Sequence, residues 1–282
     1  MEFIAPGADR FTILKELLDE TILDYTTLEI AGNRHFIVAP PPPEEKYLRR
    51  LPVILVAHYD RAKNSPGAND NSAGVFLLLE TAIKLKLSDI NNWLVIFTDK
   101  EELESGESIT AQGSYALAVG LKNLKMENAK IFIFDACGIG DTLVISTTLE
   151  YLLKKDGNEE KLPEPMMELR NFALDTARNL GMKKVLLAPT PFSDDVGFLR
   201  AGLAAQTITM LPSEECIRLV SELRKNPDFP NALISSESKL RSRSMSFPDT
   251  WRLLNTPRDS YLHLTTQHFR TVVRFAEALC RD

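Results

Sequence analysis

An α/β fold, with a mixed and mostly parallel central sheet sandwiched by helices, is what this sequence predicts. Three observations predict it. Short runs rich in Val, Ile and Phe recur along the chain. Segments with apolar residues at three- and four-residue spacing lie between most of these runs. The runs are also apolar on both alternating faces, as strands are when helices cover both sides of a sheet. With 282 residues and 44% hydrophobic content, the chain can bury such a sheet in a single domain over residues 1–282.

Taken in order, "DRFTILKELLDE" (residues 9–20) has helical spacing, and "TTLEIAGNRHFIVAP" (26–40) reads as a hairpin turning at Gly32-Asn33. The prolines at 40–43 stiffen an exposed connection. Core strands follow in "LPVILVAHYD" (51–60), "NNWLVIFTD" (91–99), "AKIFIFDACG" (129–138), "DTLVISTT" (141–148), "KKVLLAP" (183–189) and "LAAQTITML" (203–211). The intervening helices are "SAGVFLLLETAIKLK" (72–86), "TAQGSYALAVGLKNL" (110–124), "PEPMMELRNFALDTARNLG" (163–181) and "DDVGFLRAG" (194–202). A last helix, "TTQHFRTVVRFAEALC" (265–280), closes the chain, with His268 in its middle. Residues 212–249 break the rhythm and read as an insertion over one end of the sheet, near the functional rim.

Composition excludes several function classes. A formal charge of −6 argues against nucleic acid or an anionic membrane as the main partner. The basic stretch "SKLRSRS" (238–244) has no interleaved aromatics and reads as a solvated loop. Nowhere is there a run of about eighteen uncharged apolar residues that would span a membrane. The N-terminal stretch has an acidic second residue and no long apolar segment, so it reads as neither a secretory signal nor a transit peptide. Three scattered cysteines (Cys137, Cys216, Cys280) give no disulfide framework and fit a reducing, cytoplasmic location.

In folds of this class the functional crevice lies at the carboxyl ends of the strands. The residues expected there are acids and one histidine: "AHYD" after the first core strand, "DKEE" after the second and "FDACG" after the third. Extended alternation puts His58 and Asp60 on one face, with Asp60 able to orient the imidazole. Asp70 lies in "PGANDNSAG", near a helix start, where a plain N-cap is the competing reading. Glu101 and Glu102 leave the second strand, and only Lys100 offsets the acids Asp99, Glu101, Glu102 and Glu104. Asp135 interrupts an apolar run, where an ionised carboxylate needs a cationic partner that the neighbouring motifs hardly supply. A divalent cation would make such a gathering tolerable. One imidazole with several carboxylates suits zinc, or cobalt or manganese in its place, and a bridging Asp70 suits one ion or two.

The motifs "VAHYD", "PGANDNSAGV", "FTDKEELESGES", "IFIFDACG", "PFSDDVGFLRAG" and "LLNTPRDS" occur in the order of a known family. The chain resembles the zinc-dependent aminopeptidases of peptidase clan MH, which include bacterial leucyl aminopeptidases, aminopeptidase S and glutamate carboxypeptidase, with glutaminyl cyclases as relatives. The resemblance runs from about Leu51 to the C-terminus. It implies a peptide substrate with a free N-terminus, His58 and Asp135 as ligands of one zinc, and Asp70 as the bridging carboxylate. It further implies Glu102 as a ligand of a second zinc, Glu101 as the catalytic base, and Asp60 as the residue orienting His58.

Two positions depart from the family pattern. The second zinc is completed there by the histidine of a His-Thr-Pro-x-Asp element, and Asn255 stands in its place here. Asp195 replaces the histidine of a Ser-Asp-His element. Both changes remove a histidine and leave a more acidic pocket, which suits a hard cation or a single zinc better than two zinc ions. His263, eight residues after Asn255, is a weaker candidate for the missing ligand, and His35 and His268 read as structural or exposed.

Rival signals are poor. "CGIGD" (137–141) lacks the length and lysine of a phosphate loop, Cys137 reads as a small buried thiol, and no Gly-x-Ser-x-Gly elbow occurs. Three functions stay open: a metallo-aminopeptidase with one or two ions, favoured by Glu101; a degenerate binding or scaffolding relative, favoured by Asn255; and a glutaminyl cyclase-like enzyme.

Overall fold

The computed structural model of the protein describes residues 2–40, 51–155, 164–233 and 246–281. The prolines at 41–43, the basic stretch at 238–244 and part of the 212–249 segment therefore lie outside the described residues.

Among the described residues, eight strands form one sheet: β1 (Tyr25–Ile30), β2 (Asn33–Val38), β3 (Val53–His58), β4 (Trp93–Thr98), β5 (Lys130–Phe134), β6 (Thr142–Ser146), β7 (Val185–Ala188) and β8 (Gln206–Leu211). Their spatial order is β1-β2-β4-β3-β5-β8-β6-β7. Four neighbouring pairs are parallel (β3–β4, β3–β5, β5–β8, β6–β7) and three are antiparallel. The helices are α1 (Arg10–Asp19), α2 (Ala73–Leu87), α3 (Gly113–Asn123), α4 (Thr148–Lys155), α5 (Glu164–Asn179), α6 (Asp194–Arg200), α7 (Ser213–Lys225), α8 (Phe229–Leu233), α9 (Asp249–Leu253) and α10 (Phe269–Leu279).

The unbroken apolar runs become strands covered on both faces. Along β3, Val53, Leu55 and Ala57 join one core, while Ile54 and Val56 join another on the opposite side. In β5, Phe132 and Phe134 face the first core and Ile131 and Ile133 the second. Leu77, Leu78, Val272 and Phe275 of α2 and α10 pack into the first, and Leu117, Leu121 and Phe198 of α3 and α6 into the second. Each such fully buried side chain contributes roughly 1.5–3 kcal/mol. The hairpin turns one residue earlier than its sequence suggests. Ala31 and Gly32 take the two left-handed positions (φ 52° and 80°) of a tight turn, and Asn33 already begins β2.

The topology also places the rim. The chain goes from β3 through α2 to β4 on one side, then crosses through α3 to β5 on the other. Such a reversal opens a crevice beyond the carboxyl ends of the central strands. Register fixes what stands there. His58 pairs with Thr98 at the end of β4. Asp135 lies two residues beyond Ile133, whose partner Val56 lies two residues before His58.

Candidate metal centre

His58 ends a strand whose six residues are all buried. Its Nε2 lies 3.1 Å from Asp70 Oδ1 and 3.6 Å from Asp135 Oδ1, and its Nδ1 lies 3.4 Å from Asp60 Oδ1. His58, Asp70 and Asp135 each offer one ligand atom, and the three atoms lie within 4.8 Å of one another. Sequence separations of 12 and 65 residues have thus collapsed to one point at the rim of the sheet.

Asp70 is not the cap of α2. The N-cap position is Ser72, which makes no capping bond; the side chain that reaches the first turn belongs to Asn71, its Oδ1 accepting the Gly74 N–H at 3.1 Å while its amide donates to the Phe134 carbonyl. The backbone at Asp70 and Asn71 is not helical, and the peptide between them is cis. Asp70 is left free to face His58. Gly74 is required by this arrangement, since a Cβ there would stand 2.2 Å from Asn71 Oδ1.

Asp60 also reaches beyond His58. Its two carboxylate oxygens accept the backbone N–H groups of Glu101 and Glu102 at 3.1 and 3.0 Å, tying the β4 exit to the β3 exit. Glu101 is held by Gln112 at the start of α3, whose Nε2 donates to its carbonyl and, at 3.3 Å, to its Oε1. The acid cluster after β4 also sorts itself. Asp99 turns away, accepting the backbone N–H groups of Arg34 and Lys100, and Lys100 pairs with Glu107 at 2.8 Å. Glu101 and Glu102 face a cleft of about 200 Å³ together with Asp70 and Asp135. Ile109, Phe192, Leu233, Trp251 and Leu254 also line that cleft.

The donor set fits a divalent cation. Both ring nitrogens of His58, Asp135 Oδ1 and Glu102 Oε1 are buried and make no hydrogen bond. Each such group left unsatisfied costs about 1–3 kcal/mol, which a cation bound among them would offset. Electrostatics agree in direction. Burial, reinforced by Asp135, raises the Asp70 carboxyl, and burial reinforced by Asp70 raises Glu102 well above the ordinary range. Burial likewise raises Glu101, with His58 opposing and Glu102, Asp194 and Asp135 adding to it. Burial alone would depress His58, yet Asp135, Asp60 and Asp70 outweigh it and hold the imidazole well above its usual value.

The remaining sequence candidates separate. Asn255 lines the cleft in a left-handed backbone conformation (φ 60°) and is exposed. His263 is exposed in a short turn and does not line the cleft. His268 is not mid-helix; it occupies the N-cap position of α10 without a side-chain capping bond and is half-buried. His35 is buried, its Nδ1 accepting the Asp99 N–H at 3.3 Å. Asp195 is buried outside the cleft, where burial pushes its carboxyl up to about 7 and Thr207 partly counters it. Its neighbour Asp194 accepts the Thr98 hydroxyl at 2.7 Å and ties α6 to the end of β4.

Two supports escaped the sequence reading. Asp259 is fully buried, and its carboxylate accepts the N–H groups of Asn69 and Asp70 at 2.8 and 3.0 Å. Its place in "NTPRDS" was the available signal. Arg10 of α1 is buried and donates to carbonyls of both the His58 and Asp70 loops. Its signal was weaker: an arginine sharing the buried face of α1 with Leu14 and Leu18.

Comparison with known proteins decides the family, because residues 37–276 match the profile of peptidase family M28. The chain belongs to that family. Among curated relatives of this peptidase family, it is 32% identical over 153 residues to Aminopeptidase Y of Saccharomyces cerevisiae. That match covers 54% of this chain and 26% of the yeast protein, so the chain matches about a quarter of its relative's length. Among solved structures it is similar to BSAP, a zinc aminopeptidase from Bacillus subtilis (TM-score 0.55, 20% identity, 87% of this chain and 48% of that one). The Porphyromonas gingivalis glutaminyl cyclase is also similar (TM-score 0.59, 18% identity, 98% and 91%). So is the LapA aminopeptidase of Legionella pneumophila (TM-score 0.59, 13% identity, 97% and 62%). At these identities the likeness is one of fold. All three cysteines of this family member are buried free thiols, and no helix among its described residues is long and apolar enough to cross a membrane.

Proposed function

We propose that the chain is a metal-dependent aminopeptidase that hydrolyses the peptide bond after the first residue of a peptide. One observation carries the reading. His58, Asp70 and Asp135 converge beside Glu101 and Glu102 at a cleft, and the ring nitrogens of His58, Asp135 Oδ1 and Glu102 Oε1 are buried without a hydrogen bond. In this reading His58 and Asp135 would hold one zinc, Asp70 would be shared with a second position served by Glu102 and Asn255, and cobalt or manganese could substitute. Zinc, when bound, acidifies water and polarises a carbonyl.

The protein's own groups supply the rest. Glu101, raised by burial, accepts the proton of the attacking water and returns it to the leaving amine. Gln112 keeps the Glu101 carboxylate from turning away. Asp60 fixes the imidazole of His58 and the 101–102 backbone together. The acidic wall favours a cationic N-terminal amine over a C-terminal carboxylate. The 212–249 segment shapes the substrate pocket, a role supported by Leu233, at the end of α8, lining the cleft. Trimming of cytoplasmic peptides is the setting that the free thiols support.

Metal analysis of the purified chain, followed by hydrolysis of aminoacyl-arylamides with added zinc, cobalt or manganese, tests this. Bound metal with turnover supports the peptidase. Metal uptake without turnover supports a second reading that Asn255 favours, a relative that binds peptides without cleaving them. Formation of pyroglutamate from glutaminyl peptides would instead identify a cyclase, the reading to which the near full-length fold match lends support.

A further inference from the structure

The N-terminal helix lies before the segment that matches the family profile, which begins at residue 37. It nevertheless reaches the rim through one side chain. Arg10 Nη1 donates to the carbonyls of Tyr59 and Asp60, both at 3.0 Å. Its Nη2 donates to the carbonyls of Pro66 and Gly67 at 2.7 and 3.0 Å and to Ser72 Oγ at 2.8 Å. Its Nε donates to the Phe3 carbonyl at 3.1 Å. One guanidinium thus grips the turn just after His58 and both ends of the loop that presents Asp70.

We propose that Arg10 is a positioning residue for the metal centre, setting the spacing between the His58 loop and the Asp70 loop. The inference rests on the metal-site reading above. A planar fork suits the task because its donors point in fixed directions at several carbonyls at once, whereas an ammonium is a point charge. The Asp60 backbone that Arg10 holds carries the carboxylate that orients His58 and fixes Glu101 and Glu102. Gly67 is shaped for the contact. It has φ 59°, and a Cβ there would stand 2.8 Å from Arg10 Nη2 and 2.6 Å from the Asp70 carbonyl. Burial pulls Arg10 down to about 10, so it remains a cation at neutral pH beside Asp60, Asp70 and Asp259.

A buried arginine that merely satisfies loop carbonyls would affect stability and leave metal binding alone, and that difference is what the test reads. The full chain, stripped of metal by a chelator, is titrated with zinc against a competing indicator. It is then titrated with cobalt, followed by visible absorption. Arg10→Ala and Arg10→Lys are compared with the unaltered chain, and circular dichroism checks folding. Arg10→Ala is expected to weaken zinc binding about 10–100-fold, the usual loss when a residue supporting a ligand is removed. It should also alter the cobalt spectrum, and added guanidinium should restore both. If Arg10→Ala does not fold, Arg10→Lys, which keeps the charge and loses the fork, is expected to weaken binding about tenfold. Unchanged zinc affinity and an unchanged cobalt spectrum in a folded variant would overturn the proposal alone. An unaltered chain that takes up no metal would overturn the metal reading and this inference with it.

Discussion

The two flanks of the cleft are built differently. On one flank, His58 and Asp135 stand at or beside the ends of β3 and β5, buried or half-buried, with their positions set by the register of a sheet, and Asp70 meets them from the loop before α2. On the other, Asn255 sits on an irregular segment after α9, exposed and in a left-handed conformation. Strand ends fix a ligand to within a fraction of an ångström because every residue behind them is packed on both faces. An irregular segment needs tethers, and this one has Asp259, whose carboxylate holds the Asp70 loop.

The largest effect should come from the chemistry both flanks serve. Glu101→Gln is expected to lower turnover of an aminoacyl-arylamide by about 10²–10⁴-fold. Its zinc content by elemental analysis should stay as in the unaltered chain, and retained turnover would remove Glu101 as the base. Asp259→Asn tests the tether. It places an amide where two backbone N–H groups need acceptors, so zinc affinity should fall about 10–100-fold. An unchanged affinity would show that the sheet alone suffices. Asn255→His tests the other flank directly. Restoring an imidazole should strengthen a second equivalent of zinc by about tenfold or more, read in a two-site titration. No gain would mean that the backbone there points the side chain away from the ions.

The smallest expected effect concerns the support behind the β4 exit. Burial pulls His35 down to about 4, against 6.5 for the free side chain. The unfolded chain therefore binds more protons between those values, and the neutral imidazole stabilises the fold above about pH 6.5. As pH falls toward 4 that stabilisation is lost, amounting to about 1 kcal/mol by about pH 5.5. Urea unfolding across that range, with His35→Gln as the non-titrating control, measures it. An identical pH dependence in the control would assign the loss to other groups.

Much of this was legible along the chain. The six core strands, the helices between them and the residues at the strand ends follow from apolar runs and from where charges interrupt them. The sorting of the acids after β4 did not follow. Asp99, Glu101, Glu102 and Glu104 look alike in order, and only the fold sends Asp99 to the Arg34 backbone and Glu101 and Glu102 to the cleft. The N-cap reading of Asp70 was undone by its neighbour, because the short side chain that reaches Gly74 belongs to Asn71.

By itself, the sequence determined the layering of the molecule and which side chains crowd one rim, because periodicity and burial are properties of neighbouring residues. Only the tertiary structure decided how that rim is held. Arg10 and Asp259 lie about fifty and two hundred residues from the loops they grip, and contacts over such separations leave no period in the chain.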